Sequence, residues 1–169
     1  TDPLVDITGI DIDEVAIAMA SVSLKLVDGA GRSNLIHGDF IQHSPRSFKQ
    51  EGIQKEAYDA VIANPPYSRH QALDSQMKED LEQIIAREST HDFSQRTPLY
   101  GYFLVHAAQF LESGGRIAAI VPSKFLDTEF GRDLKRYLLD EFTIHGIVQF
   151  GDEIDVFEGI RTRPSVLLL

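Results

Sequence analysis

Short apolar, β-branched runs alternate along this chain with longer segments in which apolar residues recur at helical spacing. The runs predict strands at residues 7–12, 34–37, 58–63, 116–121, 144–150 and 165–169. The longer segments predict helices at about 13–27, 73–87, 100–111 and 128–142. Residues 41–57 are polar and contain Pro45, so this segment is predicted to be mostly loop. The alternation predicts an α/β fold, a doubly wound and mostly parallel sheet with helices on both faces.

Polar and turn-forming residues follow four of the predicted strands. In an open parallel sheet, ligands bind beyond the carboxyl ends of the strands. The residues at those ends are Asp11, Gly38-Asp39-Phe40, Asn64-Pro65-Pro66-Tyr67 and Pro122-Ser123. An aspartate after a strand more often caps a turn or helix than binds a ligand, so neither aspartate alone indicates a site.

The segment Asn64-Pro65-Pro66-Tyr67 carries the strongest functional signal. Two consecutive prolines fix two φ angles and remove two backbone donors. The residue before a proline is pushed toward an extended conformation, and here that residue is Asn64. The result is a stiff loop that presents a side-chain amide, backbone carbonyl groups and an aromatic ring. A purely structural turn does not need that rigidity combined with that chemistry.

The chain of 169 residues is acidic, because 26 Asp and Glu against 16 Lys and Arg give a formal net charge of −10. Such a charge repels phosphate backbones unless the cations cluster. If nucleic acid is the substrate, another domain is expected to supply much of the binding.

Composition excludes several kinds of chemistry. The absence of Cys rules out disulfides, thiolate metal sites and a cysteine nucleophile. The six His show no metal-ligand spacing, so all are interpreted as structural or surface residues and no metal is expected. No Walker-type phosphate loop is present. No apolar run reaches the roughly 20 residues needed to cross a bilayer, and no leader is visible, so a cytoplasmic protein without membrane contact is expected.

Asn64-Pro65-Pro66-Tyr67 at the end of a strand resembles the catalytic motif of S-adenosylmethionine-dependent methyltransferases that act on amino groups, above all those that methylate adenine N6 in DNA. The resemblance covers nearly the whole chain and extends to Eco57I-like methylases and to the modification subunits of type I restriction systems. It implies a class I methyltransferase, Rossmann-like fold in which Asn64, Pro65, Pro66 and Tyr67 form the catalytic loop. It also implies that the target adenine is flipped out of the duplex and stacks on Tyr67.

The same resemblance implies a cofactor site for S-adenosylmethionine. Residues 9–14 resemble the motif whose acidic side chain holds the cofactor ribose, which implies Asp11 for that role and Ile12 for packing on the cofactor adenine. Residues 38–40 resemble the motif whose aspartate accepts a hydrogen bond from the adenine amino group. In that motif the next apolar residue packs on the ring, so the implied pair is Asp39 and Phe40.

The segments that follow the catalytic loop also resemble this family. Residues 99–104 and 114–123 are similar to the helix and strand that come next in it. This implies that Phe103 lines the cofactor pocket, to which Asn64 also contributes.

The last part of the chain resembles the hairpin that closes the sheet in this family. The residues concerned are 156–159 and 165–169. In this family the region supplies a second aromatic side chain against the flipped base, which implies Phe157. Arg161 and Arg163 lie beside it and are candidates for phosphate contacts.

Residues 68–98 are predicted to form a polar insertion within a partial methyltransferase catalytic domain that spans residues 1–169. The insertion mixes cations such as Arg69 and Arg87 with carboxylates. It is either a solvated helix or a mobile flap over the substrate cleft. None of these cations looks able to read a base sequence, so target recognition is expected from a domain or subunit outside this chain.

One motif expected from the resemblance is missing. The family's first motif is a strand ending in a glycine-rich turn around the methionine part of the cofactor, and residues 1–8 do not resemble it. The chain starts at Thr1 rather than Met, so a longer natural protein is expected, with this domain truncated before its first strand. This chain alone is therefore expected to bind S-adenosylmethionine weakly or not at all, and low-micromolar binding in a calorimetric titration would contradict that.

Three functions are compatible with these residues. The first is methyl transfer from S-adenosylmethionine to adenine N6 in DNA, as part of a restriction–modification system. The second keeps the loop and changes the substrate to a protein glutamine amide or an RNA base, since both present a planar nitrogen. The third is a fragment that folds without turnover. Residues 68–98, 122–126 and 130–142 look more like those of restriction–modification methylases, which favours the first.

Overall fold

The computed structural model describes residues 7–28, 33–50, 53, 57–67, 75–94, 96–129, 131–150 and 163–169. In chain order the elements are β1 (Ile7–Asp11), α1 (Glu14–Asp28), β2 (Ser33–His37), α2 (Pro45–Gln50), β3 (Tyr58–Ala63), α3 (Ser75–Glu88), α4 (Leu99–Ala108), β4 (Leu111–Pro122), α5 (Gly131–Glu141), β5 (Gly146–Gln149) and β6 (Pro164–Leu168). Short 3-10 turns follow β2 at Phe40–Gln42 and β4 at Ser123–Leu126. The chain divides into two compact units, Thr1–Glu56 and Ala57–Leu169.

The first unit is built on a βαβ arrangement. Strands β1 and β2 pair in parallel, with Asp11 opposite His37 at the end of the ladder. Helix α1 connects them, and Asp13 caps it, because the Asp13 Oδ1 accepts a hydrogen bond from the Val15 amide at 2.8 Å. Since the strands are parallel, the residues that follow both of them lie at the same edge of the sheet.

Helix α2 corrects the prediction that residues 41–57 are mostly loop. It begins at Pro45, where the missing proline N–H is harmless because the first helical turn leaves its amide groups unpaired anyway. Ser44 and Ser47 reinforce this start by reciprocal bonds, since the amide of each donates to the hydroxyl of the other at 2.9 and 3.1 Å. Phe48 on the helix is buried. Pro45 therefore marks the start of a short helix.

The second unit contains a four-stranded sheet in the order β3-β4-β6-β5. Strands β3 and β4 are parallel, with Ala63 opposite Ala119. Strand β6 is antiparallel to both of its neighbours, and Pro122 of β4 lies opposite Pro164. Among the described residues, β3 has a strand neighbour on one side only. Parallel and antiparallel ladders joined by helices confirm the predicted α/β class.

Helix α4 forms the centre of this unit. Every residue from Leu99 to Ala107 is buried, apart from Phe103, which is half-buried. Residues of the two other helices add to the core; they are Leu81, Ile84 and Ile85 of α3 and Leu134, Tyr137 and Leu138 of α5. This accounts for the strongly apolar sequence of α4, because a helix that is apolar all round is buried.

The predicted boundary between α4 and β4 is wrong by several residues. The helix ends at Ala108 rather than at 111, and β4 begins at Leu111 rather than at 116, so Gly114 and Gly115 lie inside the strand. Gly114 has a φ of +83°, a conformation that favours glycine. A Cβ at Gly115 would lie 3.0 Å from the carbonyl oxygens of Glu112 and Tyr58. The glycine pair therefore shapes an irregular start of β4. Helix α5 and strand β5 are also shorter than predicted.

A buried pair attaches α3 to α4. The Nδ1 of His106 lies 2.8 Å from Glu88 Oε2, and the His106 side chain is fully buried. Arg87 donates to the other carboxylate oxygen at 2.6 Å. Burial of Glu88 raises its pKa, but the hydrogen bonds and charges of His106 and Arg87 outweigh this, so the pKa of Glu88 lies below its ordinary value of 4.5.

Glu88 is expected to make the fold sensitive to acid. Because its pKa is lower in the folded state, its contribution to stability is present above pH 4.5 and is lost as the pH falls through the folded-state pKa. Glu88→Gln should therefore be less stable at neutral pH and lose less further stability on acidification. Urea unfolding measured across this pH range tests it, with Glu79→Gln, an exposed change on the same helix, as the control. An unchanged pH dependence in Glu88→Gln would contradict this role.

Candidate active site

The loop Asn64-Pro65-Pro66-Tyr67 directly follows β3. Pro65 is buried, Asn64 and Pro66 are exposed, and Tyr67 is half-buried. The Tyr67 hydroxyl donates to Asn64 Oδ1 at 3.2 Å and lies 3.4 Å from the carbonyl oxygen of Ile120 in β4. Burial raises the pKa of Tyr67 above 10.0, so this hydroxyl keeps its proton at neutral pH. The loop is thus attached to β3 at its start and to β4 through Tyr67, and the Asn64 side-chain amide at its start is exposed.

The acidic residues predicted to hold the cofactor lie at one edge of the first unit, after β1 and β2. Asp11 Oδ1 accepts from the Asp13 amide at 2.8 Å, and the Asp11 carbonyl accepts from the Gly38 amide at 2.9 Å. Asp39 Oδ1 accepts from the Ile41 amide at 3.1 Å. No described residue donates to Oδ2 of either carboxylate. Each aspartate therefore shapes its own turn and keeps one oxygen available as an acceptor.

Two histidines support these turns, a role that the sequence pattern did not specify. His37 Nε2 lies 3.0 Å from the carbonyl oxygen of Ile12, and His43 Nδ1 lies 2.8 Å from that of Asp39. A Cβ at Gly38 would lie 2.8 Å from His43 Cε1, so the glycine makes room for the ring. The position of His37 at the last residue of β2 is the sequence signal that points to such a role.

The apolar residues predicted at the cofactor differ in exposure. Ile12 is 72% exposed directly after β1, and Phe40 is half-buried in the 3-10 turn after β2. Phe103 is the least buried position of α4 between Leu99 and Ala107, although it lies in the second unit. The structure thus places these side chains at accessible positions, each within its own unit.

The predicted substrate contacts are described only in part. Arg163 is exposed and immediately precedes β6, and its carbonyl accepts from the Ser123 amide at 2.9 Å. This places Arg163 beside the carboxyl end of β4, the end at which Tyr67 contacts Ile120. Phe157 and Arg161 lie outside the described residues, as does the segment 68–74 of the insertion.

A cavity of about 830 Å³ lies at the opposite end of β4 from Asn64. Its lining includes Glu88, Glu112, Arg116, Glu141 and His145. The three glutamates and the arginine give the lining charges of both signs, and none of the five residues belongs to the predicted catalytic or cofactor set. The cavity is therefore separate from the predicted catalytic loop.

Two other features are absent from the described residues. No group of three or more His, Cys, Asp or Glu side chains there is placed to hold a metal ion. No helix in the described part of the chain is both long and apolar enough to cross a membrane.

The chain is similar to known proteins over most of its length. Residues 6–157 match the family described as Eco57I restriction-modification methylase. The type II methyltransferase M.AccI of Acinetobacter calcoaceticus is 33% identical over 114 residues, which are 68% of this chain and 21% of that protein. The type II methyltransferase M.BanIII of Aneurinibacillus aneurinilyticus is 30% identical over 153 residues, which are 88% of this chain and 25% of that protein. This chain therefore spans about a quarter or less of the length of these relatives.

A solved structure supports the fold. A protein of Listeria monocytogenes described as a class I S-adenosylmethionine-dependent methyltransferase matches with a TM-score of 0.67 at 20% identity, over 96% of this chain and 43% of that one. The predicted Rossmann-like class I methyltransferase fold is thereby confirmed. The predicted catalytic loop lies at the end of β3, and the family match covers most of the sequence, so the chain belongs to the Eco57I restriction-modification methylase family.

Proposed function

We propose that this chain is part of an enzyme that transfers a methyl group from S-adenosylmethionine to the N6 amino group of adenine in DNA, within a restriction–modification system. The observation that carries the proposal is the exposed Asn64 amide, held on a proline-stiffened loop at the carboxyl end of β3. Membership in the methylase family supports it. We further propose that residues 1–169 form a partial catalytic domain.

The loop has the acceptors that this reaction requires. An exocyclic amino nitrogen is a poor nucleophile because its lone pair is delocalised into the ring. Two acceptors aimed at its hydrogens favour the pyramidal form, in which the lone pair is available. Asn64 Oδ1 and the Pro65 carbonyl are the proposed acceptors. Because the prolines hold them in place before reaction, little reorganisation is needed.

The residues at the ends of β1 and β2 fit a nucleoside-containing cofactor. S-adenosylmethionine supplies, when bound, an electrophilic methyl group on a sulfonium centre. Asp11 Oδ2 is the proposed acceptor for the ribose hydroxyls, and Asp39 Oδ2 for the adenine amino group. The exposed Ile12 and the half-buried Phe40 offer apolar surface for the adenine ring. Phe103 keeps the role in cofactor binding that the resemblance implies.

The role of Asp11 is tested by the substitution Asp11→Asn. Hydrogen bonds to a charged group contribute about 1.5–3 kcal/mol, so affinity for S-adenosylmethionine should fall by roughly 10- to 100-fold. Calorimetric titration of the full-length protein measures this. Asp59→Asn, at an exposed carboxylate on β3, is the control. Equal affinities of Asp11→Asn and the wild type for S-adenosylmethionine would contradict the assignment of Asp11 to the cofactor site.

DNA binding is proposed to be shared with parts of the protein outside this chain. Tyr67 would stack on the flipped adenine, an interaction of roughly 1–3 kcal/mol. Arg163 lies at the catalytic edge of the sheet and is a proposed phosphate contact. Phe157 and Arg161 keep the same proposed roles from the sequence. Because the net charge is −10, target recognition and much of the phosphate binding are assigned to another domain or subunit.

The insertion at residues 68–98 is proposed to act as a flap over the substrate. Its helix α3 is attached to α4 by the buried pair of His106 and Glu88.

The experiment that tests the function follows the methyl group. The full-length protein is incubated with labelled S-adenosylmethionine and mixed-sequence DNA, and the DNA is digested to nucleosides. The proposal expects label in N6-methyladenine. Label in RNA or protein, with none in DNA, would reassign the substrate. No label in any of them would contradict the proposed activity.

A further inference from the structure

The Tyr67 hydroxyl lies between two oxygen atoms and has one proton to donate. Asn64 Oδ1 is at 3.2 Å and the Ile120 carbonyl oxygen is at 3.4 Å. Both are acceptors only, whereas a hydroxyl can donate one hydrogen bond and accept others. In this arrangement one proton serves two acceptors, and Asn64 Nδ2 has no partner among the described residues. Asn64 Oδ1, the proposed acceptor for the target amino group, is turned toward the tyrosine.

A 180° rotation of the Asn64 amide exchanges Oδ1 and Nδ2 without moving the rest of the loop. The hydroxyl of Tyr67 then donates its proton to the Ile120 carbonyl and accepts from Nδ2. In this orientation the Tyr67 hydroxyl, Asn64 Nδ2 and the Ile120 carbonyl each have a hydrogen-bond partner. The hydroxyl proton of Tyr67 is then no longer shared between two acceptors. Oδ1 now points away from the tyrosine, toward solvent and an incoming amino group.

We propose that Tyr67 is a positioning residue whose hydroxyl, anchored on the Ile120 carbonyl, holds Asn64 Nδ2 and thereby turns Oδ1 toward the substrate. Asn64 is exposed, and no other described residue bonds its side-chain amide. Without the hydroxyl, the amide rotates freely and spends part of its time presenting Nδ2, a donor, to the donor groups of the target. This inference rests on the proposed function for the identity of the target, but the amide orientation does not depend on substrate.

The first test separates the hydroxyl from the ring. Tyr67→Phe keeps the aromatic surface and removes the hydroxyl. The single-turnover rate constant for methyl transfer should fall by roughly five- to tenfold, the effect of losing one hydrogen bond. The affinity for DNA should stay unchanged, because the ring still stacks. Tyr67→Ala should lower both. An unchanged rate constant in Tyr67→Phe would overturn the proposal.

The second test observes the Asn64 side-chain amide by NMR and does not require methyltransferase activity. In the full-length protein, ¹⁵N-asparagine labelling restricts the side-chain amide signals to those of asparagines. Residues 1–169 contain Asn34 and Asn64, and the variants Asn34→Asp and Asn64→Asp identify the signals of each. In the wild type, one Nδ2 proton should be shifted and exchange slowly with water. Tyr67→Phe should move these signals to those of a free amide and leave Asn34 unchanged. Identical Asn64 signals in both proteins would overturn the proposal. If the signals change but DNA is never methylated, the positioning role stands and the proposed function fails.

Discussion

Replacing Asn64 with alanine is expected to abolish methyl transfer. Loss of one preorganised hydrogen-bonding group at a developing charge costs on the order of 100- to 1,000-fold in rate. Here the lost group is the Oδ1 acceptor, and the Pro65 carbonyl alone cannot hold both amino hydrogens. Asn64 is exposed and contributes little to packing, so stability and S-adenosylmethionine affinity of the full-length protein should stay nearly intact.

The matched control for this variant is Asn34→Ala. Asn34 is also an exposed asparagine, but it lies on β2 in the first unit and belongs to none of the predicted site residues. Formation of labelled N6-methyladenine in DNA is measured for both variants and for the wild type. Wild-type turnover in Asn64→Ala would refute the assignment of the loop. A loss shared equally by Asn34→Ala would show that the effect is not specific to Asn64.

Replacing Gly131 with alanine is expected to destabilise the fold strongly. A Cβ at this position would lie 1.9 Å from the Phe125 carbonyl oxygen and 2.8 Å from its Cα. These are backbone atoms of the 3-10 turn Ser123–Leu126, so relief requires a shift of the chain. Overpacking of this kind costs about 1–3 kcal/mol or more. Propensity alone predicts the opposite sign, because alanine is the better helix former by about 1 kcal/mol.

Urea unfolding measures this difference. Gly146→Ala is the control, because a Cβ there would have its nearest contact at 3.8 Å, with the Leu168 Cδ1. That is an ordinary van der Waals distance, so the variant should be close to the wild type in stability. Equal stability of Gly131→Ala and Gly146→Ala would show that the turn around Phe125 can move freely.

The strands and the position of the proposed catalytic loop could be predicted because their signals are local. A buried strand needs a short β-branched run, and β3 shows one that ends directly at Asn64. The order of strands and helices then places residues such as Asp11 and Asp39 at strand ends. Helix α2 was missed because the prediction treats Pro45 as a helix breaker. A proline breaks a helix when it lies in the interior, but it is favourable at the first helical position, which Pro45 occupies.

The contacts that could not be predicted join distant parts of the chain. Tyr67 meets Ile120 across 53 residues, and His106 meets Glu88 across 18. No periodicity encodes such pairings, because they depend on how the elements pack. The sequence predicts that the Tyr67 ring stacks on the target base, but only the structure brings its hydroxyl to Asn64 and the sheet. The catalytic, cofactor-binding and substrate-binding roles of all the site residues, Phe157 and Arg161 included, stay predictions.

Strand β3 has one strand neighbour among the described residues, and its Ile62 is 88% exposed. Where no other segment of the full-length protein pairs with it, such a strand edge favours aggregation by pairing with other chains, and proteins commonly protect such edges with lysine, proline or a bulge. On β3 each of those protections would fall within a few residues of Asn64 and would disturb the loop that begins at Asn64. Resistance to aggregation and placement of the proposed acceptor amide would then compete for the same short segment. A substitution on β3 that improves solubility is expected to cost activity.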